Sequence, residues 1–475
     1  MKTEVASKGD YLIIEDEKAK RKMVVQIYDE EYLSSQSLIE DIVKDEVVTA
    51  SSTENLHDPL NISNLSKMIR DARVFRAKIR AAIGPSNKLS SDVSWLPSRV
   101  YSSVGRLKTS ELDLLIQRRG LFPIPIGKVG VDNEDFEIYA EDLDGKLNII
   151  TGKKESGKSH LSKILVKTLV QYGAFVIVFD LNNEYGGLAW NNDGSPSSIQ
   201  EQVMVLEPGN GLKFSLDYCG KAAMSNMLKN ALDMPAASLR EFFRIWDGLE
   251  NKQMLEIRAL GNAINTSNIN ELVRDALISR YHVIQSSRLF LDNGNADGLS
   301  FEKVISEKYK GTAIIISMGK ATPVVRRMIV ELVLSKIVDL LEKVMIPPIF
   351  IFAEEAHLYI RDTYWEDIVT RMRHFGIYTT FITNQPDAMG DGIYRQVDNI
   401  FLFNFTSDTD LDKISRVSLA DTETIRSIVK TLPQRHCLSI GKVVSDLPIV
   451  VKVAAAEVLT LGETKKFFTR NNNNR

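Results

Sequence analysis

The stretch IITGKKESGKSH, residues 149–160, decides how the rest of this sequence is interpreted. Its two glycines, Gly152 and Gly157, and the pair Lys158-Ser159 satisfy the pattern G-x-x-x-x-G-K-[ST]. In such a loop the backbone N–H groups surround a β-phosphate, the lysine reaches the β- and γ-phosphates, and the hydroxyl binds Mg²⁺. The pattern predicts a nucleotide-binding loop, and the alternative is a glycine-rich turn with an accidental lysine.

The residues on both sides of the loop supply the strand and the helix that the pattern requires. Residues 147–150 (LNII) form a short apolar run that is typical of a buried strand. Downstream, four apolar residues fall on one face of a helix whose N-terminus would meet the phosphates: Leu161, Ile164, Leu165 and Leu169. We therefore favour the nucleotide-binding loop. Three further residues of the stretch are also predicted to bind the nucleotide: Glu155, Ser156 and His160.

The composition indicates a globular protein of more than one domain. A chain of 475 residues exceeds one ordinary core, so two or three domains are expected. No apolar run reaches the length of a membrane span, and the N-terminal sequence MKTEVASKGD lacks the apolar segment of a signal peptide. Cys219 and Cys437 are the only cysteines, and they have neither metal-ligand nor disulfide spacing. These features predict a cytoplasmic protein with no membrane partner.

Charge is distributed unevenly, although the net charge is only −3. Residues 29–58 contain nine acidic residues and one lysine, whereas residues 61–120 contain twelve Lys or Arg and four acidic residues. A basic segment of this kind could hold a polyanion. It could equally form a solvated helix face that pairs with the acidic segment.

The pattern of apolar residues divides the chain into four parts. Residues 1–60 contain two short β-branched runs closed by acidic residues, GDYLIIEDE and KMVVQIYDE, and predict a small barrel or sheet. Residues 61–146 are predicted as a connector and basic region, in which residues 65–84 begin with helical spacing that becomes ambiguous near Val74. Residues 147–455 alternate strands and helices, which is typical of a parallel α/β sheet, and residues 456–475 are predicted as a tail.

Within residues 147–455 we expect a parallel sheet interrupted by one helical insertion. Residues 216–310 show helical spacing without strand signals and form the predicted insertion. Six continuous apolar runs are the predicted central strands, buried on both faces: residues 148–151, 175–179, 313–317, 349–352, 379–383 and 400–403.

A pair of carboxylates follows one of these strands. In PPIFIFAEEAH, residues 347–357, the apolar run is followed by Glu354 and Glu355. The first carboxylate would hold the Mg²⁺ shell, and the second would orient or deprotonate the water that attacks the γ-phosphate. The alternative is a solvated pair at the end of a strand.

An amide pair follows the next strand, in TTFITNQPD, residues 379–387. Asn384 or Gln385 would hydrogen-bond the γ-phosphate or the attacking water, although NQPD is also a plausible turn. The ligand crevice of a parallel sheet lies outside the carboxyl ends of its strands. We therefore expect the phosphate loop, the carboxylates and this amide to converge at that edge.

Five segments resemble those of HerA-type ATPases and occur in the same order: FDLNNEYGGL (179–188), EEAHLYI (354–360), RMRHFG (371–376), TNQPD (383–387) and DNIFLFNFTSDTDLDKIS (398–415). These proteins belong to the HerA–FtsK group of hexameric, DNA-translocating P-loop motors. The N-terminal runs are similar to the small β-barrel that precedes the motor in this family, and IGKVVSDLPIVVKV (440–453) is similar to its C-terminal strand pair. The resemblance implies an α/β, RecA-like P-loop motor with a parallel-rich central sheet.

The resemblance also implies a function. A HerA-type protein uses ATP and Mg²⁺ to thread double-stranded DNA through a ring of six subunits, and a NurA-type nuclease works with it in end resection and double-strand break repair. The alternatives are a HerA-like ATPase of a nuclease-coupled defence complex, a conjugation or secretion motor, and a nucleotide-gated scaffold that activates a partner enzyme. The lack of an apolar span argues against the conjugation or secretion motor.

The matched positions carry the family's site roles onto this sequence. By position, the phosphate and Mg²⁺ residues are Lys158 and Ser159, the catalytic carboxylate is Glu355, the polar sensor is Asn384, the trans-acting arginine is Arg373, and the acidic pair after the second strand is Asp180 and Glu184. Arg371 and Arg395 are the other candidates for the trans-acting arginine.

The placement of Arg373 follows from its position before the 379–383 strand. It should lie at the opposite end of that strand from Asn384, away from the phosphate loop of its own subunit. An arginine there could serve only the nucleotide of a neighbouring subunit. The alternative is that Arg373 caps its own helix by pairing with the last carbonyl groups.

Three departures from the family pattern concern the site. They are Lys153-Lys154-Glu155 where the phosphate loop usually has small residues, Asn182-Asn183 in place of His-Gly, and Phe403-Asn404 in a region where an arginine is frequent. The binding and hydrolysis residues are intact, so the departures bear on the turnover rate and on which arginine completes the site.

Overall fold

A computed structural model of the chain describes residues 6–32, 73–84, 89–90, 94–98, 100–107, 111, 120–130, 132–292, 298–308, 310–360, 365, 369, 371–416 and 420–461. These residues form a five-stranded sheet near the N-terminus and a twelve-stranded sheet in the rest of the chain. Helices cover both faces of the larger sheet, which makes the fold α/β.

The five-stranded sheet is antiparallel and its strand order is β4-β3-β2-β1-β5. Its strands are β1 (Tyr11–Asp16), β2 (Arg21–Tyr32), β3 (Arg73–Ile83), β4 (Leu89–Ser90) and β5 (Ser102–Arg106). The sheet therefore extends well past the predicted boundary at residue 60. Among the described strands, β4 and β5 lie at opposite edges of the sheet and do not pair, and closure into a barrel stays a prediction.

The ambiguous part of residues 65–84 forms a strand. Residues 73–83 form β3, which pairs with β2 from Tyr32↔Arg73 to Lys22↔Ile83. Residues 65–72, where the helical spacing begins, lie outside the described residues. Pairing with a long neighbouring strand decides the ambiguous spacing, because strand formation depends more on its neighbours than on intrinsic preference.

The twelve-stranded sheet has the order β11-β10-β12-β9-β13-β14-β8-β15-β16-β17-β6-β7. Its strands are β6 (Pro123–Val129), β7 (Glu134–Tyr139), β8 (Leu147–Thr151), β9 (Phe175–Asp180), β10 (Val203–Pro208), β11 (Gly211–Leu212), β12 (Thr312–Ser317), β13 (Ile349–Glu354), β14 (Ile377–Thr383), β15 (Asn399–Phe403), β16 (His436–Gly441) and β17 (Ile449–Val453). Neighbours from β11 to β15 are parallel, and neighbours from β15 to β7 are antiparallel.

All six predicted central strands lie in the parallel part of this sheet. The predicted connector, residues 61–146, does not separate the two sheets as expected. Its strands β6 and β7 join the large sheet through β17, so that sheet begins at Pro123 and not at residue 147.

Helices of 4 to 20 residues connect the described strands. They are α1 (Lys158–Gln171), α2 (Leu216–Asn226), α3 (Ala236–Glu250), α4 (Ile257–Thr266), α5 (Glu271–Ser286), α6 (Phe301–Glu307), α7 (Pro323–Glu342), α8 (Met372–Phe375), α9 (Asp391–Tyr394), α10 (Asp408–Ser415) and α11 (Thr422–Val429). A π-helical turn, Met227–Ala231, follows α2. Short 3₁₀ turns occur at Ala140–Asp142, Tyr185–Ala189, Gln200–Gln202, Ala356–Leu358, Pro386–Ala388 and Lys442–Val444. Helices α2 to α6 occupy the segment that was predicted as a helical insertion.

The parallel strands are buried on both faces. In β8, Ile149 belongs to one apolar cluster and Ile150 to the other, because successive side chains of a strand point to opposite faces. Helix α1 contributes Leu161 and Leu165 to the second cluster, whereas α7 contributes Val330 to the first. The continuous apolar runs in the sequence are thus explained by two covered faces. In the described part of the chain, no helix has the length and apolarity needed to cross a membrane.

The segment predicted as a C-terminal tail begins inside the fold. Val458 is fully buried, and the backbone N–H of Leu459 donates a 2.8 Å hydrogen bond to the carbonyl of Trp190. Residues 456–461 therefore pack on the large sheet's domain. Residues 462–475 lie outside the described residues.

The five-stranded sheet docks on the larger domain through polar contacts. Tyr11 Oη and Gln26 Nε2 donate to the carbonyl of Pro448 at 2.9 and 2.7 Å. On β3, Lys78 pairs with Asp421, and Arg80 Nη2 donates to Thr424 Oγ1 at 3.0 Å.

Part of the predicted basic segment is therefore ion-paired. Arg73 and Arg76 of β3 pair with Glu30 and Glu31, which belong to the acidic segment. This matches the interpretation of the segment as a charge-paired face, although the face lies on a strand and not on a helix. Lys67, Arg70, Lys88, Arg99, Lys108, Arg118 and Arg119 of the same segment lie outside the described residues.

Candidate active site

The phosphate loop connects β8 to α1 as the sequence predicts. Gly157 is the residue before α1 and has a φ of 118°, a left-handed conformation that glycine adopts without steric cost. A Cβ on Gly152 would lie 2.5 Å from Cβ of Phe403 and 2.9 Å from Ser156 Oγ. Both glycines are therefore required by the fold of the loop, one for its backbone angle and one for close packing against the end of β15.

Lys158 is held inside the loop. Its Nζ donates to the carbonyls of Gly152 and Lys153, at 2.8 and 2.9 Å. Burial lowers the pKa of its ammonium, and the carboxylates of Glu355, Glu354 and Glu184 act in the opposite direction. The amine is thus close to three carboxylates and oriented toward the interior of the loop.

Several buried polar atoms at this edge of the sheet have no hydrogen-bond partner among the described residues. They are Thr151 Oγ1, Ser156 Oγ, Glu355 Oε2 and Asn384 Oδ1. A buried polar atom without a partner is costly, so such atoms mark positions that a ligand completes. Together with a phosphate loop and its lysine, these atoms fit a nucleoside triphosphate and its Mg²⁺.

The donor set is also suitable for Mg²⁺ that is held mainly by phosphates. Within the described residues, no group of three His, Cys, Asp or Glu side chains is spaced for a metal ion. Mg²⁺ is commonly bound through one or two protein oxygens, substrate phosphates and water. Ser159, the first-turn residue of α1, is half-buried at the position that the loop pattern gives to the Mg²⁺ hydroxyl.

Glu355 lies directly after β13 in a strained backbone conformation. Its φ is 47°, in the left-handed region that residues with a side chain adopt at a cost. Burial raises the pKa of its carboxyl group, although Lys158, Lys154 and the backbone N–H of Asn384, which is hydrogen-bonded to the carboxyl group, lower it. A carboxylate with a raised pKa is a stronger base, which suits the role predicted for Glu355.

His357 stays uncharged beside this carboxylate. Burial lowers the pKa of its imidazole. Its Nδ1 lies 3.0 Å from Thr383 Oγ1 and 3.6 Å from Glu355 Oε2, and the second distance is too long for a hydrogen bond. Oε2 of Glu355 therefore remains available for a reacting water.

Glu354 contacts the loop that follows β9. Its Oε2 accepts the backbone N–H groups of Leu181 and Asn182 at 3.1 and 3.2 Å, and its Oε1 accepts Asn182 Nδ2 at 3.3 Å. Burial raises the pKa of Glu354 well above its usual value, and the carboxylates of Asp180 and Glu184 raise it further. Its role in holding the Mg²⁺ shell stays a prediction.

The predicted acidic pair, Asp180 and Glu184, shapes that same loop. The Asp180 carboxylate accepts the backbone N–H groups of Glu184 and Tyr185 at 3.0 and 2.9 Å. Glu184 pairs with Lys163 Nζ at 3.3 Å, and the Lys163 side chain is only 2 % exposed. The pair lies beside the phosphate loop and is anchored to α1. No motif pointed to Lys163, because α1 also carries Lys158 and Lys167 and its sequence does not set Lys163 apart.

The remaining residues of the 149–160 stretch have separate environments. Glu155 is exposed, and its carbonyl accepts Gln434 Nε2 at 3.0 Å. His160 faces the C-terminal segment, since its Nδ1 accepts the backbone N–H of Ala456 at 3.2 Å. Their predicted contacts with a nucleotide stay predictions.

Asn384 and Gln385 differ in burial. Asn384 donates its backbone N–H to Glu355 and has a buried side-chain oxygen without a partner among the described residues. Gln385 is exposed. The structure thus brings Asn384 to the Glu355 carboxylate, as expected for a polar sensor.

Arg373 lies at the opposite edge of the sheet. Its Nη2 is 3.3 Å from Asp398 Oδ2, and the same Oδ2 accepts the backbone N–H of Leu147, the first residue of β8, at 3.0 Å. Arg373 thus sits at the amino ends of the strands whose carboxyl ends carry the phosphate loop. Its side chain pairs with Asp398 and not with the carbonyls of its own short helix, and it is 40 % exposed. Arg371 stacks over Phe375, and Arg395 is exposed.

Asn404 supports the phosphate loop at a position where the sequence departs from the family pattern. Its carbonyl accepts the backbone N–H of Lys153 at 2.9 Å. Its Nδ2 donates to the carbonyls of Val429 and Leu432 at 3.2 and 3.0 Å, at the end of α11. Sequence reasoning could not assign this role, because it depends on contacts with residues that are far apart in the chain.

Part of the chain is similar to known helicases. Residues 133–337 match the family model described as Helicase HerA, central domain. The DNA double-strand break repair helicase HerA of Saccharolobus solfataricus is 23% identical over 361 residues, which are 68% of this chain and 69% of that protein.

Solved structures show the same fold. VirB4 of Thermoanaerobacter pseudethanolicus superposes with a TM-score of 0.52 and 14% identity, over 70% of this chain and 96% of that one. The plasmid coupling protein TrwB in complex with ADP and Mg²⁺ gives a TM-score of 0.51 and 14% identity, over 75% and 94%. The large sheet, its phosphate loop and these superpositions show that the chain has the RecA-like fold of P-loop motors, and residues 133–337 are similar to the central domain of HerA helicases.

Proposed function

We propose that this ATPase is a double-stranded DNA translocase that works as a homohexameric ring with a NurA-type nuclease, in end resection and double-strand break repair. The observation that carries the proposal is the placement of the site residues on two opposite edges of one sheet. Lys158, Glu355 and Asn384 lie at the carboxyl edge, and Arg373 lies at the amino edge. The similarity to the DNA double-strand break repair helicase HerA supports the DNA substrate and the repair role, and the nuclease partner follows from the family resemblance.

The carboxyl-edge residues can perform hydrolysis within one subunit. Lys158 would offset the charge of the β- and γ-phosphates, and Ser159 would hold Mg²⁺, which when bound neutralises developing phosphate charge. Glu355 would accept a proton from the attacking water through its unpaired Oε2. Asn384 would fix the γ-phosphate or the water with its unpaired Oδ1.

The amino-edge arginine is the argument for a ring. Arg373 is exposed, carries a permanent charge and cannot reach the phosphate loop of its own subunit. If subunits pack with the amino edge of one against the carboxyl edge of the next, each Arg373 meets a neighbour's nucleotide. Such a head-to-tail interface closes into a ring when the rotation between subunits permits.

DNA-stimulated ATP hydrolysis tests the proposal directly. We expect linear double-stranded DNA to raise the ATPase rate of the purified protein, and light scattering to give the mass of six subunits with ATP and DNA. A protein that remains monomeric with both ligands would contradict the ring. Stimulation by a protein partner but not by DNA would instead indicate a nucleotide-gated scaffold.

The nuclease partner is tested by capture from the native host. The Glu355→Gln protein should hold ATP without hydrolysing it and so retain its partners. Recovery of DNA together with a nuclease supports end processing. Recovery of neither, under conditions in which the protein binds ATP, would contradict it.

A further inference from the structure

The turn before β16 donates hydrogen bonds to carbonyl groups of the phosphate loop. Gln434 Nε2 donates to the carbonyl of Glu155 at 3.0 Å, and the backbone N–H of Arg435 donates to the carbonyl of Ser156 at 2.8 Å. In a trans peptide the N–H and the C=O point in opposite directions. Holding these two carbonyls outward therefore turns the N–H groups of Ser156 and Gly157 inward, where a phosphate would bind.

Arg435 itself lies directly over the loop. Its Cα and Cγ are 3.0 and 3.2 Å from the point that a Cβ on Gly157 would occupy. Its carbonyl accepts the backbone N–H of Val453 at 2.7 Å, so the backbone is held on both sides. Within the described ranges, its guanidinium forms no ion pair or hydrogen bond with another side chain. A permanent positive charge without a protein partner thus stands beside an anion-binding loop.

The backbone conformation at Arg435 is one that glycine would adopt more cheaply. Its φ is 60°, in the left-handed region. Strained positions of this kind cluster at ligand-binding sites, where the side chain contributes more than its backbone costs. An arginine has no short polar group that could compensate locally, unlike asparagine or aspartate.

We propose that Arg435 is a nucleotide-binding residue that contacts the α-phosphate end of ATP in its own subunit. Glu355 and Asn384 follow β13 and β14, on one side of β8 in the sheet, whereas Arg435 precedes β16, on the other side. A triphosphate whose γ-phosphate points to Glu355 must direct its α-phosphate and nucleoside toward the β15–β16 side. A guanidinium there pairs with phosphate oxygens through charge-assisted hydrogen bonds.

This contact predicts a specific pattern of binding and turnover. Loss of the guanidinium should weaken the binding of ADP and of ATP by the same factor, roughly 10- to 100-fold, as expected for one hydrogen-bonded charge pair. KM for ATP should rise, and kcat at saturating ATP should stay close to that of the native protein, because the γ-phosphate and Glu355 are untouched. The inference concerns nucleotide binding alone and does not depend on DNA or on a partner.

Arg435→Gly is the primary variant, because glycine relieves the backbone strain while removing the side chain. Arg288→Gly is the matched control. Arg288 has a φ of 58°, and its Cβ is 3.2 Å from the point that a Cβ on Gly209 would occupy, but it lies in the helical insertion. We expect both variants to melt at or above the temperature of the native protein, and only Arg435→Gly to lose nucleotide affinity.

Calorimetric titration with ADP, and with ATP in a Glu355→Gln background, gives the affinities. Arg435→Lys keeps the charge and should bind both nucleotides more tightly than Arg435→Gly. Unchanged ADP affinity in Arg435→Gly would overturn the proposal, as would a loss confined to ATP. Two other results would assign the loss of nucleotide affinity to the conformation of the turn and so overturn the proposal. One is equally weak binding by Arg435→Lys and Arg435→Gly. The other is a lower melting temperature in Arg435→Gly than in Arg288→Gly.

Discussion

The parallel and the antiparallel halves of the twelve-stranded sheet use their strand ends differently. In the parallel half, β8, β13 and β14 all end at one edge, where Thr151, Glu354 and Thr383 are their last residues. In the antiparallel half, strand ends alternate between the two edges, so they cannot collect at one place. The parallel strands therefore bring the proposed site residues together at one edge. The antiparallel strands connect other parts of the chain to that region.

The antiparallel half makes two such attachments. The turn before β16 holds the carbonyls of the phosphate loop through Gln434 and Arg435. The segment before β17 receives the N-terminal sheet, since Tyr11 and Gln26 both donate to Pro448. If this division is correct, changes in the parallel half should act on turnover, and changes at the attachment points should act on affinity or stability.

Glu355→Gln should have the largest effect, because it removes the proposed catalytic base in the parallel half. An amide cannot accept a proton from water, so we expect ATP hydrolysis to fall by roughly 100- to 10,000-fold while nucleotide binding persists. Steady-state hydrolysis and calorimetry measure the two quantities. Glu423→Gln, which alters a carboxylate paired with Lys78 at the N-terminal sheet, is the control and should hydrolyse ATP normally. Equal losses of ATP hydrolysis in both variants would contradict the division between the parallel and antiparallel halves.

Lys158→Ala should come next, and it should act on binding. Its ammonium lies inside the phosphate loop, where a charged group pairs with phosphate oxygens, so ATP affinity should fall by at least about 100-fold. Lys167→Ala, on the same helix α1, should bind ATP normally. Calorimetry that finds native affinity in Lys158→Ala would remove the lysine from the site.

A mixing experiment tests whether the amino edge of the parallel half serves the next subunit. Arg373→Ala and Glu355→Gln subunits should each be inactive alone. In mixed rings, some interfaces combine an intact Glu355 with an intact Arg373, so a fraction of the ATPase activity should return. Full activity of the Arg373→Ala protein by itself would leave Arg373 with only its structural pairing to Asp398.

The smallest expected effect concerns the attachment of the N-terminal sheet at Asp421. Burial acts to raise the pKa of this carboxyl group, but Lys78 and the Thr424 N–H and hydroxyl outweigh burial and lower the pKa to about 2. A carboxylate with a depressed pKa stabilises the fold above its unfolded pKa of about 3.9, and the contribution is lost as pH falls through the folded pKa. Asp421→Asn should therefore melt below the native protein at neutral pH, and the difference should shrink between about pH 4 and pH 2.

Melting temperatures of the two proteins across this pH range provide the measurement. A difference that stays constant from neutral pH to about pH 2 would show that the Asp421 carboxylate does not stabilise the attachment. Since the site is partly exposed, added salt should also reduce the difference.

The sequence by itself determined the parts that depend on neighbouring residues. The phosphate loop needs two glycines, a lysine and a serine at close spacing, with an apolar run before and an amphipathic run after. The central strands were recognisable because burial on two faces demands uninterrupted apolar residues. Glu355 and Asn384 were found because they directly follow such strands, and parallel strands end at a common edge.

The tertiary structure alone decided what depends on residues far apart in the chain. Residues 73–83 form a strand because β2 pairs with them, although their own spacing is ambiguous. Glu354 and Glu355 are adjacent in sequence, yet Glu354 accepts hydrogen bonds from the loop after β9, whereas Glu355 has a left-handed backbone and an Oε2 without a partner among the described residues. Arg435 reaches the phosphate loop across nearly 280 positions through β15 and β16. Local sequence patterns do not predict such contacts, because each contact needs a distant segment of the chain as its partner. These contacts form only when the sheet has formed.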